Sequence, residues 1–272
     1  MWHLHSILYR FSRLWNWITG LLYRLRTVRS HSRSDLEQQS LSDPIELVIA
    51  TKPPRNPPPN ARQVGIIKSP KPNPFNAVDE SANRQAMRHE ALVYKRLGNC
   101  SHIPKLLEWD PELCTITLEH LANGNLGDYL REHPTVSETT RQRWVQQAAK
   151  GLEALHAAGV THNDIAPRNF LLSDSLELRI CDFASSSVPG LPVSDVAPGA
   201  RYQRRPWPPR YSSVLYLIVS GVEPYSELKE KEVEARFERG EFPTTRNLDY
   251  GEVIERCWDG QTTAMEIVMA LS

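Results

Sequence analysis

The sequence predicts an α+β fold in two lobes, a small strand-rich N-terminal lobe and a mainly helical C-terminal one. Three observations predict it. Short apolar runs at strand spacing, broken by a single helical stretch, fill residues 45–118. From about residue 125 the apolar positions recur mostly at helical spacing. Between the two, residues 119–124 form a turn-rich connector, which makes the cleft between lobes the natural ligand site.

The chain has 272 residues, long enough to bury a real core. With 40% hydrophobic and 24% charged residues it is not disordered as a whole. Lys plus Arg (32) equals Asp plus Glu (32), a balance that excludes a globally basic nucleic-acid binder, so no nucleic-acid partner is expected. Cys100, Cys114, Cys181 and Cys257 are widely spread with no CxxC pair, which argues against a zinc cage or a dense disulfide framework. A reducing, cytoplasmic compartment fits that usage. No apolar run reaches the roughly 18–20 residues of a membrane span. No two glycines stand two apart, so there is no GxG phosphate loop.

Charge is unevenly distributed. The first 34 residues contain Arg10, Arg13, Arg24, Arg26, Arg29 and Arg33 but no Asp or Glu. Leu4, Ile7, Leu8, Phe11, Leu14, Trp15, Ile18, Leu21, Leu22 and Leu25 recur there at helical spacing. Residues 1–29 therefore read as a basic amphipathic helix suited to lying on an anionic membrane surface, with Trp15 and Trp17 as interfacial anchors. A helix docked on the folded part and a mitochondrial presequence share the composition and stand as alternatives. Residues 30–44 read as a linker rich in Ser, Arg and Gln, followed by a first lobe at 45–121 and a second at 122–272.

In the first lobe, residues 45–50 (IELVIA) and 63–68 (QVGIIK) read as strands. The intervening 52–60 (KPPRNPPPN) cannot pair in a sheet, because proline lacks the N–H donor. A helix is predicted from about Ala77 to Leu97, with Asp79, Glu80 and Ser81 at its start. Met87, Glu90, Tyr94 and Leu97 fall on one face of it. Glu90 is then a carboxylate on an apolar stripe, costly unless it meets a cation. Strands follow at 106–109 and 114–118, helices at about 125–132 and 137–158, the latter stopped by Gly159. Short strands follow at 170–172 and 178–181, and the remaining third is mainly helical.

The chemistry concentrates in residues 162–169, His-Asn-Asp-Ile-Ala-Pro-Arg-Asn, and in Cys181-Asp182-Phe183-Ala184. Phosphoryl transfer needs a carboxylate to orient the attacking hydroxyl and take its proton. It also needs oxygen ligands for magnesium, and cations against the phosphates. Asp164 can be the base, Asn169 and Asp182 the metal ligands, and Arg168 the nearby positive charge. Lys68 would be the cation from the first lobe and Glu90 its partner.

These residues resemble the eukaryotic protein kinase family, and within it the small fungal members. The run HNDIAPRN is similar to the family's H-R-D-x-x-x-x-N loop, CDFA to its D-F-G, and Val64–Lys68 (VGIIK) to its V-A-I-K strand. The spacings from Glu90 to Asp164 and from Asn169 to Asp182 fit as well. GVEPY (221–225) and IERCW (254–258) are similar to later segments, so the likeness covers roughly 45–272. The resemblance implies a bilobal kinase-like fold and ATP with Mg2+ as cofactors. It also implies an adenine grip by backbone groups of Glu119, His120 and Leu121, with Leu118 guarding the pocket. The substrate it implies is a protein hydroxyl, of a protein the sequence does not identify.

The chain also departs from the family pattern. The glycine-rich ribbon is replaced by the proline-rich 52–60. Asn163 stands where the family has an arginine that pairs with a phosphorylated activation loop, so control by loop phosphorylation is not expected. Ala184 replaces the glycine of D-F-G. Ala166 and Arg168 resemble the tyrosine-kinase form of the loop. Residues 203–216 (QRRPWPPRYSSVLY) lack the acid that braces the family's catalytic loop. Besides a protein kinase, two readings compete: a pseudokinase that binds or scaffolds without turnover, and a small-molecule phosphotransferase.

Overall fold

The computed structural model of the protein describes residues 45–50, 65–72, 75–190, 209–260 and 264–270, with residues 45–50, 209, 210 and 264 as backbone only. The expected amphipathic helix at 1–29, the linker at 30–44, the proline-rich 52–60 and all of 191–208 lie outside the described residues.

The fold is bilobal, β-rich in its N-terminal part and predominantly helical in its C-terminal part, as the sequence predicts. Strands β1 (Ile45–Ala50), β2 (Gly65–Pro70), β3 (Leu106–Asp110) and β4 (Thr115–Glu119) form one antiparallel sheet in the order β1-β2-β4-β3. Central β2 pairs on both edges, which fixes its register: Lys68 lies opposite Leu47 on one side and Ile116 on the other. Helix α1 (Ala77–Leu97) packs on this sheet with Met87, Glu90, Ala91, Val93 and Tyr94 buried. Its cap is Asn76, whose side chain accepts from the N–H groups of Val78 and Asp79 at 3.1 and 3.3 Å. The predicted Asp79 and Glu80 sit inside the first turn, favourably placed for the helix dipole.

The connector leads into α2 (Leu126–Glu132) and α3 (Glu138–Ala157). Ser137 caps α3 by accepting from Thr140 N–H, and Trp144, Val145, Ala148, Leu152 and Leu155 bury its apolar face. Gly159 follows with φ 70, a left-handed turn that costs glycine nothing and ends the helix. Gly151 lets α3 approach the strand behind the site: a Cβ there would stand 2.8 Å from Ile180 Cδ1.

Two short strands, β5 (Phe170–Leu172) and β6 (Leu178–Ile180), form a hairpin beneath the connector. The connector is tied to it: Asn123 N–H donates to Leu172 O (3.0 Å), Leu172 N–H to Gly124 O (2.9 Å), and the Asn123 side chain to Ser173 O (2.6 Å). Helices α4 (Pro209–Ser220), α5 (Glu230–Glu238), α6 (Gly251–Trp258) and α7 (Ala264–Ala270) complete the described part. Helix α4 buries Tyr211, Ser212, Ser213, Val214, Leu215 and Ile218. Tyr211 anchors it to α3 through a hydrogen bond to Val145 O.

Candidate active site

The site is assembled from four elements whose positions follow from this fold. Central β2 supplies Lys68, and α1 supplies Glu90. The loop before β5 supplies Asp164, Arg168 and Asn169, and the turn after β6 supplies Asp182.

Lys68 is 5% exposed, an unusual place for a lysine that has no anionic partner. It has two partners. Its Nζ donates to Glu90 Oε1 and Oε2 at 2.9 and 2.7 Å and to Asp182 Oδ1 at 2.8 Å. Burial alone pulls the ammonium down, but Asp182 and Glu90 outweigh it and hold it above the ordinary lysine value. Glu90 is fully buried; burial raises its carboxyl and Lys68 offsets only part of that. Burial also opposes ionisation of Asp182, but there Lys68 prevails and keeps the carboxyl below its usual range. One cation thus serves two carboxylates, and Asp182, with 38% of its side chain exposed, is the one that reaches solvent.

Asp182 has φ 66. The left-handed residue of the turn is therefore the aspartate itself and not Ala184, so loss of the expected glycine leaves no strain at 184. Phe183 N–H donates to Glu90 Oε1 at 3.4 Å, and its ring is fully buried. That ring packs edge-on between Tyr94 (5.0 Å) and His162 (5.3 Å), joining α1 to the loop that carries Asp164.

The loop is braced mainly from within. His162 accepts from Asp164 N–H through Nδ1 (3.2 Å) and lies 2.9 Å from Cys181 O through Nε2. Together these contacts assign the Nε2–H tautomer, with Nε2 donating. His162 is thus held by main-chain groups through both ring nitrogens. Asp164 is 5% exposed. Arg168 Nη2 lies 2.9 and 2.7 Å from its two carboxylate oxygens, and Asn169 Nδ2 donates to Oδ2 (2.9 Å) and to the main-chain carbonyl (2.7 Å). Cys181 N–H donates to Asn169 O at 2.9 Å, so the residues beside Asp182 and Asp164 are joined directly. The structure groups Lys68, Glu90 and Asp182 in one cluster and Asp164, Arg168 and Asn169 in another, linked by the Cys181–Asn169 main-chain bond. Arg168 differs from expectation in being engaged with Asp164.

The connector residues Leu118 and Leu121 are buried and His120 is partly so. Glu119 uses its main-chain N–H on Lys105 O (2.9 Å). Its carboxylate pairs with Arg179 of β6 at 2.5 Å and also accepts from Lys105 N–H. The sequence singled out this residue for its backbone. Its side chain, and Arg179, were missed, because nothing in a two-residue alternation marks an ion pair between lobes.

Asn169 and Asp182 suit a hard divalent cation. The Asn169 amide nitrogen is spent on Asp164, which leaves its carbonyl oxygen as the donor, and Asp182 adds an ionised, solvent-reaching carboxylate.

Comparison with known proteins agrees with this geometry. Residues 71–194 match the protein kinase domain family. The rat megakaryocyte-associated tyrosine-protein kinase is 27% identical over 202 residues, covering 68% of this chain and 41% of that protein. The rice calcium and calcium/calmodulin-dependent serine/threonine-protein kinase is 32% identical over 145 residues, 47% of this chain and 28% of that protein. The human phosphorylase b kinase gamma catalytic chain, liver/testis isoform, is 28% identical over 105 residues, 38% of this chain and 26% of that protein. The chain spans about a quarter to two-fifths of the length of these relatives. The likeness is thus to a protein kinase domain over residues 71–194, and at low identity to eukaryotic serine/threonine and tyrosine kinases.

Proposed function

We propose that the protein is a phosphotransferase that moves the γ-phosphate of ATP to a protein hydroxyl. The observation that carries the reading is the cluster of Lys68, Glu90 and Asp182, which the Cys181–Asn169 main-chain bond links to the loop of Asp164 and Asn169. Asn169 and Asp182 would hold a magnesium ion, which would supply charge neutralisation at the phosphates. Lys68 is a fixed ammonium for the phosphates, and Glu90 keeps it in place. Main-chain groups of Glu119, His120 and Leu121 hold the adenine, with Leu118 as the side chain that limits its pocket.

Asp164 orients the attacking hydroxyl and takes its proton. Its Oδ2 accepts two hydrogen bonds within the site, while Oδ1 accepts one, from Arg168, and keeps capacity for a substrate hydroxyl. Arg168 holds the carboxylate in one orientation and balances its charge. The arrangement resembles the tyrosine-kinase form of the loop.

A binding module without turnover is the second reading, favoured by the absence of any GxG in the sequence. The two are separated by Asp164→Asn. In the phosphotransferase, this change abolishes incorporation of labelled phosphate into a protein acceptor and leaves ATP binding intact. Wild-type protein that binds Mg2+-ATP but transfers nothing to protein or to water establishes the binding module instead.

A further inference from the structure

The segment after Phe183 is held by a residue that the catalytic scheme does not use. Asn163 is 9% exposed and has φ 61, a left-handed conformation that asparagine tolerates better than most side chains. That backbone turn directs its carboxamide at the chain beyond Asp182. Its Nδ2 donates to Ser185 O (3.1 Å) and to Ser187 Oγ. The carbonyl of Ser185 only accepts, so it fixes which end of the amide faces it.

Around this contact the two stretches are zipped together. Thr161 and Ser187 exchange both main-chain hydrogen bonds, at 2.9 and 2.7 Å, and Ser186 Oγ donates to His162 O. From the other side, His89 Nε2 reaches Ser186 O at 2.7 Å, and His89 precedes Glu90 on α1. Ser185 and Ser186 are buried, 4% and 0% exposed, so these bonds form away from competing water. One short segment thus joins the loop bearing Asp164, the turn bearing Asp182 and the helix bearing Glu90. Every contact in the joint is made by the chain's own neutral groups or by His89.

We propose that Asn163 is a positioning residue: its carboxamide staples residues 185–187 onto the loop of Asp164. The proposal rests on the phosphotransferase reading for its catalytic consequence, and on geometry alone for its structural one.

The test uses the full chain and three variants: Asn163→Gly, which keeps the left-handed backbone at no cost, Asn163→Asp, which turns a carboxylate oxygen toward Ser185 O, and Ser187→Ala. Hydrogen exchange is followed at residues 185–188, alongside steady-state kinetics. The staple predicts that these amides are protected in the wild type. It predicts roughly tenfold faster exchange in Asn163→Gly, the scale of one net hydrogen bond, and at least as much in Asn163→Asp. It further predicts a smaller change in Ser187→Ala, and a fall in kcat with the KM for ATP little changed. Should the asparagine variants fail to fold, Ser187→Ala decides by the same readout. Unchanged exchange at 185–188 in folded Asn163→Gly overturns the proposal. A wild-type protein that transfers no phosphate would refute the functional reading alone, because exchange still reports the staple.

Discussion

Lys68 Nζ stands 2.7 Å from Glu90 Oε2 inside a fully buried ion pair, and the same nitrogen reaches Asp182 Oδ1 at 2.8 Å. The N-terminal sheet, its helix and the C-terminal lobe are therefore joined at a single atom. Substitutions around this link separate its structural from its chemical share.

Removing the ammonium should cost more than removing one of its partners. Lys68→Met leaves two carboxylates facing each other with no cation, whereas Glu90→Gln leaves Lys68 paired with Asp182 and keeps an acceptor. Breaking a buried ion pair from one side typically costs about 3–5 kcal/mol. Lys68→Met should fall in that range, with Glu90→Gln below it, as read by urea unfolding. Equal losses would show that Asp182 does not share the lysine.

The pH dependence of this link has a definite sign. The Asp182 carboxyl titrates below its unfolded value, so the stability it lends is present above roughly pH 4 and lost as pH falls through the folded value. The Lys68 ammonium titrates above its unfolded value, so its share is complete below roughly pH 10 and lost as pH rises further. Glu90, raised by burial, works the other way and takes up its proton earlier in the folded state. Asp182→Asn suits the test because asparagine accepts the φ of 66. The stability gap between wild type and this variant should narrow steadily as pH drops below 4. A gap that stays constant to pH 2.5 would show that Asp182 is not held ionised by Lys68.

Tyr94 makes a different prediction. Its ring packs edge-on against Phe183, and its buried Oη lies near the main chain of Asp182 without a well-formed hydrogen bond among the described residues. An unsatisfied buried hydroxyl costs about 1–3 kcal/mol. Tyr94→Phe keeps the ring contact and removes the orphan, so it should raise stability, by about 1 kcal/mol, in chemical denaturation. A loss of that size would mean that the hydroxyl is bonded in solution.

Much of the fold was legible because it rests on local periodicity. The stripe through Met87, Glu90 and Tyr94 marked α1 and exposed Glu90 as a carboxylate in need of a cation. Ser137 and Gly159 marked the ends of α3 to within a residue. Lys68, Asp164, Asn169 and Asp182 could be singled out because phosphoryl transfer, the proposed chemistry, restricts which side chains serve. What could not be read are contacts whose partners are main-chain groups far along the chain. Asn163 announced only a missing arginine, since its acceptor, Ser185 O, is a carbonyl that any residue would present. The serines at 185–187 looked like ordinary loop composition, although two of them are buried. Ala184 drew attention to a strain that the backbone places on Asp182 instead. The brace expected from an acid in the region of α4 is supplied in part by His162 and Asn169, within the loop itself.

The central claim is that these side chains form a site for a magnesium-bound nucleotide, and a titration of ATP with and without Mg2+ tests it most directly. The arrangement predicts saturable binding that strengthens when magnesium is present, raises the melting temperature by ligand linkage, and weakens in both Lys68→Met and Asp182→Asn. Wild-type protein that shows no binding and no thermal shift at millimolar Mg2+-ATP would contradict it.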